Sequence, residues 1–173
     1  RDKVYPNLGF DRFIDITAFV ESDRFGPYVS DRALAAKVVS LLGEQDGPLF
    51  IFAITMENHG QWETDRLNGF VDQGELENPP LGARDLAIYL RHLHNGDAML
   101  GHLVEAMRSR DGDYVLCAFG DHLPSMPAAF DSAGFDDPRT DYLVWRKGGR
   151  FPKEFDIGAE TLGRLVLDAT FDD

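Results

Sequence analysis

Leu49-Phe50-Ile51-Phe52-Ala53-Ile54-Thr55-Met56 is a continuous apolar run of strand length, and its reading decides the fold. The run is short, β-rich and does not alternate, which predicts a strand buried on both faces rather than one with a solvated side. Tyr114-Val115-Leu116-Cys117-Ala118-Phe119 predicts a second such strand, and Tyr142-Leu143-Val144-Trp145 a third. Helical patterns fall between and around them. Ser30 reads as an N-cap with Asp31 in the first turn, Leu34, Ala35, Val38, Val39 and Leu42 form one apolar face, and Gly43 stops the helix. Leu86, Leu90, Leu93, Leu100, Leu103, Val104 and Met107 recur at helical spacing from 83 to about 109, although Asn95-Gly96 interrupts the pattern. A closing helix is expected over 159–167. Helices alternating with doubly buried strands predict the α/β class, as a three-layer α/β/α sandwich with helices on both faces of the sheet.

Upstream, residues 4–29 read as irregular structure whose Phe10, Phe13, Ile14, Phe19 and Phe25 cover a core. Residues 57–82, with Pro79-Pro80, read as a long loop of the kind that usually carries function. The chain has 173 residues with no repeat or linker to divide it, so residues 1–173 are expected to form a single domain. Apolar residues make up 43% and charged residues 27%, which excludes global disorder. Lys and Arg number 17 against 30 Asp and Glu, a formal net charge of −13 that argues against nucleic-acid or anionic-membrane partners. A phosphate ligand would need a local metal or arginine to overrule that field. The single cysteine, Cys117, excludes an intrachain disulfide framework and a zinc–thiolate cluster.

In α/β sheets ligands gather beyond the carboxyl ends of the strands. The first expected strand runs into Glu57-Asn58-His59 and the second into Gly120-Asp121-His122. A carboxylate beside an imidazole suits a divalent metal, and Gly120 and Pro124 supply the break that lets both side chains face one ion. The alternative is a turn aspartate beside an exposed histidine. His59 could bind a phosphate oxygen, ligate metal or protonate a leaving group, or simply make one structural hydrogen bond. Trp62 could wall a substrate pocket or cover core. His92, His94 and His102 read as solvated or core-edge residues, since no His-x-x-x-His pair exists, and Asp97 reads as a helix-surface carboxylate. The acidic cluster Asp131, Asp136, Asp137 and Asp141 matches no calcium loop and reads as a solvated face. Gly-x-Ser-x-Gly and glycine-rich phosphate loops are absent from the sequence.

Ile54-Thr55-Met56-Glu57-Asn58-His59 and Phe119-Gly120-Asp121-His122-Leu123-Pro124 together resemble the sulfatase-like branch of the alkaline phosphatase superfamily, with the nearest likeness to phosphoglycerol transferases of the lipoteichoic-acid-synthase type. Arg1 to Tyr5 with Gly9-Phe10-Asp11-Arg12-Phe13, the Ser30-Asp31 helix start, and Tyr89-Leu90-Arg91 through Asp97 to Leu103 resemble further segments of that family in order. The resemblance implies that Asp121 and His122 ligate a divalent metal, Mn²⁺ before Zn²⁺, Mg²⁺ or Ca²⁺. It implies that His59 is catalytic and that Arg1, His59 and Trp62 bind substrate. The donor would be a phosphoglycerol-bearing lipid or another phospho-group donor and the acceptor a glycan, outside the cytoplasm. The family's threonine nucleophile and a further metal-binding acid lie upstream of the segment that Arg1 matches, so the chain is expected to be the C-terminal portion of a catalytic domain, attached to the membrane only through upstream segments. Two other readings stay open: a sulfate or phosphate ester hydrolase of the same superfamily, and a non-catalytic binding module.

Overall fold

The computed structural model describes residues 2–44, 47–60, 62, 77–79, 81, 83–149 and 154–171. Two short strands, β1 (Arg24–Phe25) and β2 (Tyr28–Val29), pair antiparallel and lead into helix α1 (Asp31–Leu42). Helix α2 (Arg84–Arg108) precedes strand β3 (Val115–Phe119), helix α3 (Pro127–Ala133) and strand β4 (Tyr142–Arg146), and helix α4 (Leu162–Phe171) closes the chain. The content is mixed helix and strand, consistent with the α/β class.

Helix α1 begins where its chemistry directs. The Ser30 hydroxyl accepts from the Ala33 N–H at 3.1 Å, satisfying a backbone donor that the first turn leaves unpaired. Its Ala35 and Val38 pack on Leu103 of α2, and Val39, Met99, Ile51 and Leu116 close around them. Helices α1 and α2 are thus one packing unit, and Leu116 joins strand β3 to it. Helix α4 packs against β3 and β4.

Strands β3 and β4 pair antiparallel in a register from Val115 opposite Arg146 to Phe119 opposite Tyr142. Their side chains are half-buried, and those of Phe119 and Leu143 exposed, rather than buried on both faces. The larger departure from expectation is the run at 49–56. It pairs with no strand among the described residues, and Phe50 remains 72% exposed and Phe52 46%. A strand apolar on both faces needs covered neighbours on both sides. Here one side chain, Ile51, reaches the α1–α2 core, while Phe50 meets Phe10 and Phe52 meets Tyr5. Tyr5 also touches Phe10 and Phe13, so the aromatics of the irregular opening do cover apolar surface, though Phe13 itself stays exposed.

Asn95-Gly96 does not break α2, which runs through it. The glycine serves a close approach. A Cβ at position 96 would lie 3.2 Å from Asn58 Nδ2 and 3.4 Å from Asp31 Oδ2. Gly101, one and a half turns on, meets nothing within 4 Å. Replacing glycine by alanine inside a helix ordinarily gains about 0.5–1 kcal/mol. Gly101→Ala should therefore raise stability by that amount in thermal or urea unfolding. Gly96→Ala should gain nothing or lose, because its Cβ displaces two hydrogen-bonded side chains.

Candidate active site

Residues 48–56, Asn58, His59, Gly60 and Trp62 line one broad open groove together with strand β3, residues 120–125 and parts of helices α1, α2 and α4 and strand β4. Its volume, about 3270 Å³, exceeds the roughly 300–1,000 Å³ of a closed small-molecule pocket. His59, Trp62, Asp121 and His122 all border it. Arg1 lies outside the described residues.

His122 follows Gly120, which has no Cβ to obstruct Thr140: a Cβ there would sit 3.2 Å from Thr140 Cβ. Thr140 Oγ1 donates to the Gly120 carbonyl at 2.7 Å, and the Gly120 N–H donates to Asp141 O, so the turn leaving β3 is tied to the strand entering β4. His122 Nδ1 lies 2.9 Å from the Leu123 carbonyl. A carbonyl only accepts, so Nδ1 carries the proton and the neutral ring keeps its lone pair on Nε2. That Nε2 stands 3.8 Å from Asp121 Oδ1, with both side chains largely exposed. Two ligands each about 2.1 Å from one ion can span that separation. The donor set is therefore compatible with one divalent cation, and a backbone carbonyl orients the imidazole as metal-ligating histidines usually require. Among the described residues no group of three or more His, Cys, Asp or Glu could hold a metal.

His59 is held in the same manner. Its Nδ1 lies 2.7 Å from the Gly60 carbonyl and 3.3 Å from Tyr28 Oη, while Tyr28 donates to the same carbonyl at 3.0 Å. The proton sits on Nδ1, and in the neutral ring Nε2 is the basic atom. Trp62 meets Tyr89 of α2 edge to face at 5.5 Å and packs over Gly60, so it both covers the helix and borders the groove. His94 and His102 are exposed, as their spacing suggests. Asp131, Asp136 and Asp141 are exposed, as a solvated acidic face requires, and on that face Arg139 pairs with Asp137 and with Asp156; the hydrogen bonds from Arg139 hold the Asp137 carboxyl down at about 2.

Sequence reasoning missed a buried polar cluster behind the His59 loop. Asp31 and Glu57 are each 1% exposed and His92 is 5% exposed. Glu57 accepts from the Asp31 N–H at 2.6 Å and from Asn95 Nδ2 at 2.7 Å, with His92 Nδ1 at 3.3 Å. Asn58 Nδ2 donates to Asp31 Oδ2 at 3.0 Å. Burial alone would raise the Glu57 carboxyl, but its hydrogen bonds from His92, Asn95 and the Asp31 backbone outweigh that and place it below the ordinary value. Asp31 has no such set of donors. Burial first, and the Glu57 charge second, push it up to about 7. The one signal in the sequence was Asn95-Gly96, since a glycine inside a helical pattern marks close backbone approach.

A family model described as Sulfatase matches residues 1–157. The chain belongs to the sulfatase family. Among curated relatives of this sulfatase-family chain, the capsular polysaccharide biosynthesis protein RkpI of Rhizobium meliloti (strain 1021) is 37% identical over 149 residues, which cover 83% of this chain and 25% of the relative. A protein of the same organism named for cyclic beta-1,2-glucan modification is 29% identical over 135 residues, covering 78% of this chain and 21% of its own length. The chain thus spans about a quarter of the length of the curated relatives it matches. No solved structure matches.

A depressed carboxyl stabilises the fold above its unfolded pKa, and that contribution is lost as pH falls through the folded value. Glu57→Gln should therefore flatten the acid side of the stability profile in pH-dependent urea unfolding. It should also cost about 3 kcal/mol near neutrality, because an amide cannot accept from all three donors and one is left buried and unpaired.

Proposed function

We propose that the chain is the metal-binding portion of a phospho-group transferase that modifies cell-envelope or capsular glycans, of the phosphoglycerol-transferase kind. The observation that carries this reading is the Asp121–His122 pair, with Nε2 of His122 left free by the Leu123 carbonyl, on the groove that His59 also borders. The donor is a phosphoglycerol-bearing lipid or similar phosphodiester, and the acceptor a sugar hydroxyl. Two curated relatives carry names concerned with glycans, one capsular and one cyclic, which supports a glycan acceptor. That acceptor in turn supports an extracytoplasmic setting. No helix among the described residues is long and apolar enough to cross a membrane, so membrane attachment would rest on other segments.

Asp121 and His122 would hold the ion, Mn²⁺ being favoured by a mixed oxygen and nitrogen donor set, with Zn²⁺, Mg²⁺ and Ca²⁺ as competitors. A bound divalent cation neutralises charge on a transferring phosphoryl group and acidifies a hydroxyl nucleophile. In the chain's own chemistry, His59 is the acid–base group. Its Nδ1 proton is committed to Gly60, so Nε2 is the atom that donates to a phosphate oxygen or leaving group when protonated and accepts when neutral. Tyr28 holds the ring at a fixed tilt. Trp62, which borders the groove, would wall the substrate, and Arg1 would clamp phosphate. The family description itself favours a second reading, hydrolysis of a sulfate or phosphate ester, in which water replaces the sugar hydroxyl.

Calorimetric titration of Mn²⁺ into the intact protein should give one stoichiometric site that Asp121→Ala abolishes. Unchanged binding in that variant would defeat the metal assignment. His59→Ala should lower turnover of a phosphodiester substrate at least about tenfold, as loss of one positioned donor does. Transfer of the labelled phospho-group to an added glycan supports the transferase; release to water alone supports the hydrolase.

A further inference from the structure

Among the described residues, three buried side-chain polar atoms lack a hydrogen-bond partner: Asp31 Oδ1, Asn58 Oδ1 and Trp62 Nε1. The first two belong to side chains already joined by one bond, Asn58 Nδ2 to Asp31 Oδ2. Both orphans are acceptors if Asp31 is ionised, so neither can satisfy the other. A proton on Asp31 Oδ1 changes this, since it supplies a donor to a neighbour that has an unused acceptor. Leaving two such oxygens buried and unpaired is costly. The glycine at 96 permits the arrangement, because a side chain there would intrude on both partners.

We propose that Asp31 and Asn58 are positioning residues that pair as carboxylic acid and amide, through two reciprocal hydrogen bonds, to hold the His59 loop on helix α1. The inference rests on the reading of His59 as a site residue. The pair acts through the backbone: Asn58 precedes His59, whose N–H donates to Met56 O at 3.0 Å. When the acid ionises, its proton passes to solvent, one of the two bonds is lost, and a carboxylate faces the amide oxygen. The titratable groups bearing on Asp31 are Glu57 on the same loop, which disfavours its charge, and His92 on α2, which favours it. Ionisation falls near neutrality, since burial and Glu57 set Asp31 at about 7. The His59 loop is therefore tightest on the acid side of neutrality and loosens above it.

Hydrogen–deuterium exchange of the intact protein, read by mass spectrometry on a peptide containing residues 56–60 and corrected for intrinsic rates, tests this without substrate or metal. Wild-type protection should fall roughly tenfold as pH rises through neutrality. Asp31→Asn keeps a permanent N–H opposite Asn58 Oδ1, so its protection should stay level across the same range. Asn58→Ala should be poorly protected throughout. A level wild-type profile, or an Asp31→Asn profile identical to wild type, overturns the proposal. Infrared spectra of wild-type protein with ¹³C-labelled aspartate give an independent check that needs no variant. An aspartic acid C=O band should persist just below neutrality and vanish above it, and its absence overturns the pairing. Failure of the transferase reading would show as missing turnover and metal binding with these exchange and infrared results intact.

Discussion

The structure turns on one buried anion. Glu57 lies at the end of the apolar run at 49–56, fully enclosed, and its carboxylate is met by a backbone N–H of α1, an amide of α2 and the His92 ring. A carboxylate in that position is tolerable only because three donors surround it. The same bonds draw three segments that are distant in sequence to one point. His59, two residues on, inherits its place from that anchorage.

The second fixed point is the turn after β3. Gly120 and Thr140 lock together the exit from β3 and the entry to β4, and the Leu123 carbonyl selects which nitrogen His122 offers to the groove. Both histidines that border the groove thus have a proton committed to a backbone carbonyl and a basic Nε2 left available. Phe50 and Phe52, which line the groove, stay exposed.

Much of the local structure was legible. Ser30 as cap, Gly43 as stop and the apolar spacing between them marked the observed helix α1, because capping and amphipathicity are properties of a few adjacent residues. The helix over 84–108 was legible from its spacing, and β3 and β4 from their apolar runs. Strand pairing was not, since a strand is completed only by its neighbours; the run at 49–56 is strand-like in composition yet unpaired among the described residues. Asp31 looked like a first-turn acid and His92 like a solvated or core-edge histidine, and nothing local could reveal that they bury together.

By its own pattern, the sequence determined the α/β character, the limits of helix α1 and nearly those of α2, the Gly-Asp-His and Asn-His tips, and membership of a family through ordered motifs, all of which depend on short-range spacing, whereas helix α3 and the true span of α4 were not read from it. Only the tertiary structure decided which face of each helix meets the other, which ring nitrogens carry protons, and that Glu57, Asp31 and Asn58 form a buried unit behind His59. The reason is dielectric as much as geometric. Burial changes what a carboxyl group costs and which proton it keeps, and burial is conferred by residues tens of positions away.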